Sequence, residues 1–295
     1  MSPKMTVILG AQAIVLSSCA ARLPITAPAA PPPSFNPLQV VACNAKAPKT
    51  AGGTGQPTRN EQAVLFVHGW NGDPDSTWQK FPGLVCEDPD FIGNTDVVSV
   101  HYPTFILSGN PTIVETASSL NDVLSANGLE RYKRVAIISH SMGGLVGREM
   151  LIADYLRAPG STAPYKILIE IATPHDGTTN LVGLASALGF PGTDVLSELK
   201  PHSPFLRDLT TEWRNFKTHP PTSCFFSGQD DIVPSSSAGS QCDEGHDYLE
   251  GGHRDLAKPA SLDDTRYRLP IYAVKKAFAQ ENGAGKTPQP ESQVH

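Results

Sequence analysis

A mostly parallel, doubly wound α/β sheet is the fold class that this sequence of 295 residues predicts. Three observations carry the prediction. Short unbroken apolar runs recur along the chain, as strands covered on both faces require. Segments with apolar residues at helical spacing alternate with them. One apolar run, residues 135–139, passes through a tight Ser-His-Ser-Met-Gly turn straight into a helix pattern.

The elements follow in chain order. Residues 63–67 (AVLFV) and 96–100 (DVVSV) read as strands. Residues 111–128 read as a helix, because Ile113, Ala117, Leu120 and Leu124 share one face and Gly128 stops it. Residues 135–139 (VAIIS) form the next strand, and 143–157 the next helix, ended by Pro159-Gly160. Residues 167–172 (ILIEIA) and 222–227 (TSCFFS) are further strands. A last amphipathic helix follows Asp264, with Tyr267, Ile271, Val274 and Phe278 facing inward. Residues 177–218 fit this alternation poorly, and their Leu-, Gly- and Pro-rich text predicts a small cap insertion or a helical excursion.

Charge narrows the function classes. The formal net charge is −6, which disfavours nucleic acid as a partner, because binding phosphates needs clustered Lys and Arg. No apolar run is long enough for a membrane-spanning helix. Residues 1–60 differ from the rest: they hold no Asp or Glu, while Lys4, Arg22, Lys46, Lys49 and Arg59 are basic. Lys4, the apolar stretch 5–16 and the small residues after it have the layout of a secretory signal peptide. Leu16-Ser17-Ser18-Cys19 resembles a bacterial lipobox, which makes Cys19 the candidate lipidation site; cleavage near Ala20 or Ala21, discarding Cys19, is the alternative. A diacylated Cys19 would anchor the protein to a membrane of the cell envelope. Residues 20–58, with Pro31-Pro32-Pro33 and a Gly-rich patch at 51–55, read as a tether, 59–280 as the domain and 281–295 as a flexible tail.

Export also makes sense of the cysteines. Without Cys19 four remain, and an even number in an oxidising compartment predicts two disulfides. Cys224–Cys242, closing a short loop, and Cys43–Cys86, stapling the tether to the domain, is the preferred pairing; free buried thiols are the alternative. No spacing suits a metal, and the acidic stretch 243–247 reads as a solvated loop. No cofactor motif is present.

The chemistry concentrates at Ser139-His140-Ser141-Met142-Gly143. A strand running into a sharp turn and then a helix is the setting of a nucleophile elbow. Ser141 would project from the turn, residues 139 and 143 must be small where strand and helix nearly touch, and the helix N-terminus offers N–H groups to an oxyanion.

Around this motif the chain resembles the α/β-hydrolases of lipase and esterase type, and among them the deacylases of inositol-phospholipid anchors. The resemblance spans about residues 61–278. Besides the elbow it rests on FVHGWNGDPDSTW from Phe66 to Trp78, ATPHDG from Ala172 to Gly177, SGQDDIVP from Ser227 to Pro234 and GHRDLAKP from Gly252 to Pro259. It implies the α/β-hydrolase fold and a serine nucleophile served by a base and an acid.

His253 is the candidate base, because it follows Gly251-Gly252 after the acid loop and leads into the last helix; His246 is its rival. Asp230 is the candidate acid. Asp230 and Asp231 are adjacent and point to opposite sides, so only one of them can face His253, and the family's spacing to Val233-Pro234 favours Asp230. The order Ser141, Asp230, His253 is the order this fold uses. The N–H groups of Met142 and Trp70 are candidate oxyanion donors. His68, His140 and His175 lie in motif loops and are structural or pocket-lining candidates. The expected activity is hydrolysis of carboxylic esters, small or lipid, with residues 181–190 (LVGLASALGF) as a candidate lining or cover of an acyl pocket and a plain core helix as the alternative. Acyl transfer, or amide or thioester cleavage, would use the same residues. A binding protein that keeps the fold without the chemistry is the non-enzymatic alternative.

Overall fold

The computed structural model describes residues 38–43, 60–70, 72–102, 111–159, 164–188 and 194–283, all within one compact unit, Asn36–His295. The expected signal peptide with Cys19, most of the expected tether and the residues beyond 283 lie outside the described residues.

The strands are β1 (Leu38–Ala42), β2 (Gln62–Val67), β3 (Thr95–Val100), β4 (Arg134–His140), β5 (Tyr165–Ile171), β6 (Thr222–Phe226) and β7 (Glu244–Tyr248). They form one sheet in the order β1-β3-β2-β4-β5-β6-β7. β1 runs antiparallel to β3, and every other pair is parallel. The helices are α1 (Pro74–Trp78), α2 (Phe81–Glu87), α3 (Ile113–Ala126), α4 (Met142–Arg157), α5 (Leu181–Leu188), α6 (Asp194–Glu198), α7 (Pro204–Asn215), α8 (Ser235–Ala238) and α9 (Thr265–Gly283).

Alternation along the central strands splits the core in two. Ala63, Leu65 and Val67 of β2 and Val135 and Ile137 of β4 face α3, α4 and α7. Val64, Phe66, Ala136 and Ile138 face the side covered by α1, α2 and α9, where Phe81, Tyr267, Ile271 and Val274 are buried. Both faces are covered, which is why these strands read as continuous apolar runs. α3 starts at a capping box between Thr112 and Glu115; beyond its end Gly128 takes a left-handed φ of 71°, the conformation glycine adopts at least cost.

Two strands escape the apolar-run criterion because both are edges. β1 lies inside the stretch assigned to the tether, so the folded unit takes in Leu38–Cys43, and the boundary at residue 59 is corrected. A strand with one neighbour needs no fully buried run: Val40 and Val41 are 44% and 56% exposed. At the other edge β7 replaces the expected solvated loop at 243–247; its sequence EGHDY is polar, and main-chain pairing to β6 holds it. Within 177–218 the described residues include the three helices α5, α6 and α7, and α7 lies against α4 on the way from β5 to β6. No helix among the described residues is long and apolar enough to cross a membrane.

Both expected disulfides are present, Cys43–Cys86 and Cys224–Cys242, with Cα atoms 4.6 and 5.9 Å apart. Cys43–Cys86 closes a loop with a sequence separation of 43 residues. Replacing both cysteines by Ala is expected to lower unfolding free energy by about 2–4 kcal/mol, chiefly through the greater freedom of the unfolded chain. Denaturant unfolding of the double variant, against wild type with and without reductant, checks this.

Candidate active site

The carboxyl ends of β2, β4, β6 and β7 converge at one edge of the sheet, where doubly wound folds place their ligands. β4 delivers Ser141, and the loops after β6 and β7 deliver Asp230 and His253.

Ser141 sits between β4 and α4 with φ 55° and ψ −131°. That conformation is uncommon for a residue with a side chain and is held by its surroundings. Ser141 N–H donates to Ile171 O at 2.8 Å, and Gly144 N–H donates to Ser141 O at 3.0 Å. Close packing fixes the rest. A Cβ on Gly143 would lie 2.4 Å from Val67 O and 2.5 Å from His68 O, so α4 meets the end of β2 with no room for a methyl group. On the other side Ser139 is accommodated by donating its hydroxyl to Ile169 O at 2.8 Å. Gly143→Ala is therefore expected to cost about 1–3 kcal/mol of stability through overpacking, with a visible loss of melting temperature and of reactivity at Ser141; a variant with wild-type melting and reactivity would contradict this packing.

Three side chains form one chain of hydrogen bonds. His253 Nε2 lies 3.0 Å from Ser141 Oγ, and His253 Nδ1 lies 2.8 Å from Asp230 Oδ2. Asp230 Oδ1 accepts from the N–H groups of Ile232 and Val233, each at 2.9 Å. Burial pushes the Asp230 carboxyl up, but the hydrogen bond and charge of His253 and the two main-chain donors outweigh it and hold the group below its ordinary range. Ser141 and His253 are each 2% exposed. Asp231 offers its main-chain oxygen, which accepts from Asn180 Nδ2 at 2.7 Å.

The loop after β2 closes the other side of Ser141. A Cβ on Gly69 would stand 3.0 Å from Ser141 Cβ, so the main chain leading to Trp70 passes directly over the serine. Met142 opens α4, and its N–H is among the first-turn donors that have no partner within the helix. Arranged in this way, the site can activate a serine hydroxyl and present main-chain donors beside it.

The alpha/beta hydrolase family model matches residues 64–271, well over half the chain. The chain belongs to the alpha/beta hydrolase family. Among solved structures, the chain is similar to phospholipase PlaB from Legionella pneumophila, with a TM-score of 0.60 and 16% identity over 75% of this chain and 62% of that one. It thus spans less than two thirds of the phospholipase chain. It is also similar to the mature lipase BlEst2 from Bacillus licheniformis, with a TM-score of 0.52 and 15% identity over 82% of this chain and 98% of that one. At these identities the likeness is one of fold. No curated protein sequence matches the chain.

The three motif histidines have separate surroundings. His68 stacks on Tyr102 with ring centroids 4.1 Å apart, and its Nδ1–H donates to Gly69 O at 2.8 Å; burial depresses its pKa to about 4. His140 lies against His253, with ring centroids 4.9 Å apart. His175 is turned away from the Ser141 hydrogen-bond chain: its Nδ1 is 3.2 Å from Ser237 O and its Nε2 3.1 Å from Glu170 Oε2. It therefore belongs to the wall beneath the acid loop.

That wall holds a buried ion pair. Arg148, from α4, meets both carboxylate oxygens of Glu170, on β5, at 2.8 and 2.7 Å, and reaches Gln241 O at 3.0 Å. The Trp213 ring covers its guanidinium at 4.9 Å. Burial pushes the Glu170 carboxyl up, yet Arg148 and His175 pull it down to about 2. A signal for this pair was available in the sequence, since Glu170 is a lone charge inside the apolar run ILIEIA, and a charge in a buried strand requires a partner. The disulfide to Cys242 ends beside the pair, with Cys224 Sγ 3.8 Å from Glu170 Oε2. These sulfurs and His175 form a cluster with metal-ligand chemistry, but both sulfurs are spent in the disulfide.

Proposed function

We propose that this hydrolase is a serine esterase that cleaves carboxylic esters through an acyl-enzyme. The observation that carries the reading is the unbroken path from Asp230 Oδ2 through His253 to Ser141 Oγ. Ser141 Oγ attacks the ester carbonyl as His253 Nε2 takes its proton. Asp230 holds the Nδ1–H tautomer and stabilises the imidazolium. The N–H groups of Met142 and Trp70 receive the developing oxyanion. The proton on Nε2 then passes to the leaving alkoxide, which departs as the alcohol. Water, deprotonated by His253, hydrolyses the acyl-enzyme and restores Ser141. Because Trp70 acts through its main chain, Trp70→Ala retains the donor.

A lipid ester is the substrate class within this reading. Its support is α5, whose sequence LVGLASAL follows the loop that begins Thr173-Pro174-His175, with Val182 79% exposed. Export and anchoring through Cys19 belong to the same proposal and are supported by the lipobox-like sequence and by two disulfides suited to an oxidising compartment. The test is turnover of p-nitrophenyl esters of increasing acyl length, with Ser141→Ala as the blank. Wild-type activity that rises from acetate to medium-chain esters and vanishes in the blank is expected. Hydrolysis confined to amides, or equal in the blank, would overturn the reading.

A further inference from the structure

The base occupies the least regular part of the site. Between β7 and α9 the chain has turns but neither strand nor helix, and His253 follows Gly251, whose φ is +126°, and Gly252. Main chain of this kind has much conformational freedom to lose, so a base placed on it needs anchors. Two come from the residues that precede the other members of the hydrogen-bond chain. Gln229, just before Asp230, accepts from Gly251 N–H through Oε1 at 3.1 Å. His140, just before Ser141, meets the carbonyl oxygen of His253 itself, Nε2 to O at 2.8 Å.

The chemistry of that second contact is determined. A carbonyl oxygen only accepts, so Nε2 of His140 carries the proton. Burial and then the charge of the neighbouring His253 push His140 down to about 3; Lys258 acts in the same direction, and the hydrogen bond to His253 O and the charge of Asp230 act in the opposite one. The ring is therefore neutral wherever a serine esterase works, and places no second positive charge beside the imidazolium that forms on His253. Trp78 closes its far side, edge-on at 6.3 Å.

We infer that His140 is a positioning residue: its Nε2–H holds the main chain of His253, so that the residue beside the nucleophile also sets the place of the base. The inference rests on the esterase reading above. In this role His140 acts through His253, by the contact to its carbonyl oxygen. A displacement of about 1 Å at a general base costs on the order of 100-fold in rate.

The test compares His140→Gln with His140→Asn. A glutamine amide nitrogen reaches the place of Nε2, whereas an asparagine reaches only that of Nδ1. His140→Gln is expected to keep kcat within about threefold of wild type, and His140→Asn to lose about 10- to 100-fold in kcat with KM unchanged. A purely structural role would move both variants alike, so equal kcat values overturn the inference. Nitrogen-15 NMR of wild type gives a second reading that depends on no variant folding. His140 should show the Nε2–H tautomer without titrating between pH 5 and 8; the Nδ1–H tautomer, or a titration in that range, overturns the inference. A wild type that neither hydrolyses esters nor reacts at Ser141 brings down the esterase reading itself, whereas an active wild type with equal variants brings down only the role of His140.

Discussion

Ser141→Ala is expected to lower kcat for ester hydrolysis by about 10⁵- to 10⁶-fold, and His253→Ala by a similar factor. Removing either leaves no activated nucleophile, because a serine hydroxyl reacts slowly until a base takes its proton. The double variant should lose little more than the worse single one, since the two side chains act as one unit. Asp230→Asn should cost less than either. It leaves nucleophile and base in place but removes the carboxylate that fixes the Nδ1–H tautomer. All four variants are expected to stay folded, because β4, α4 and the two loops are held mainly by contacts the substitutions leave intact. Steady-state kinetics with melting curves on the same samples check this; two comparable losses that multiply in the double variant would show that Ser141 and His253 do not act together.

Arg148→Met is expected to destabilise the fold by about 3–5 kcal/mol, because it leaves the Glu170 carboxylate buried without its partner. The side chains of both are at most 1% exposed, so water cannot replace the lost contact. The double variant Arg148→Met, Glu170→Gln removes the charge together with its partner and should recover much of the loss. The pair also predicts a pH dependence. In the folded protein Glu170 is held at about 2, below its ordinary 4.5. A depressed carboxylate contributes stability that is present in full above its unfolded value and lost as pH falls through its folded value. The stability gap between wild type and Glu170→Gln should therefore be constant near neutrality and shrink from about pH 4.5 to pH 2. Denaturant unfolding across this range checks the sign; a gap that widens on acidification would contradict the assignment.

Much of this architecture was legible because it is carried by local pattern. Strands with helices on both faces must be apolar throughout, so β2, β3, β4, β5 and β6 announce themselves. The elbow was legible for a steric reason: only small residues fit where Gly143 meets the β2 carbonyls. β1 and β7 were not, since an edge strand is held by main-chain pairing on one side and its sequence need not be apolar. The choice between Asp230 and Asp231 rested on the family's spacing to Val233-Pro234, and in the structure it is Asp230 whose Oδ2 lies 2.8 Å from His253 Nδ1. The contact from His140 to the carbonyl of His253 joins residues 113 positions apart and involves a main-chain atom, so no residue type at 253 could have signalled it. His175 belongs to a recognisable loop motif, but its place beside Glu170 depends on how β5 packs against the acid loop.

The central claim is that Ser141 is a nucleophile activated by His253, and labelling by a serine-directed fluorophosphonate tests it most directly. The account predicts stoichiometric modification of the folded wild-type protein, located at Ser141 by peptide mass, absent in Ser141→Ala and strongly slowed in His253→Ala. A folded wild-type protein that stays unlabelled, or is labelled at another serine, would contradict it.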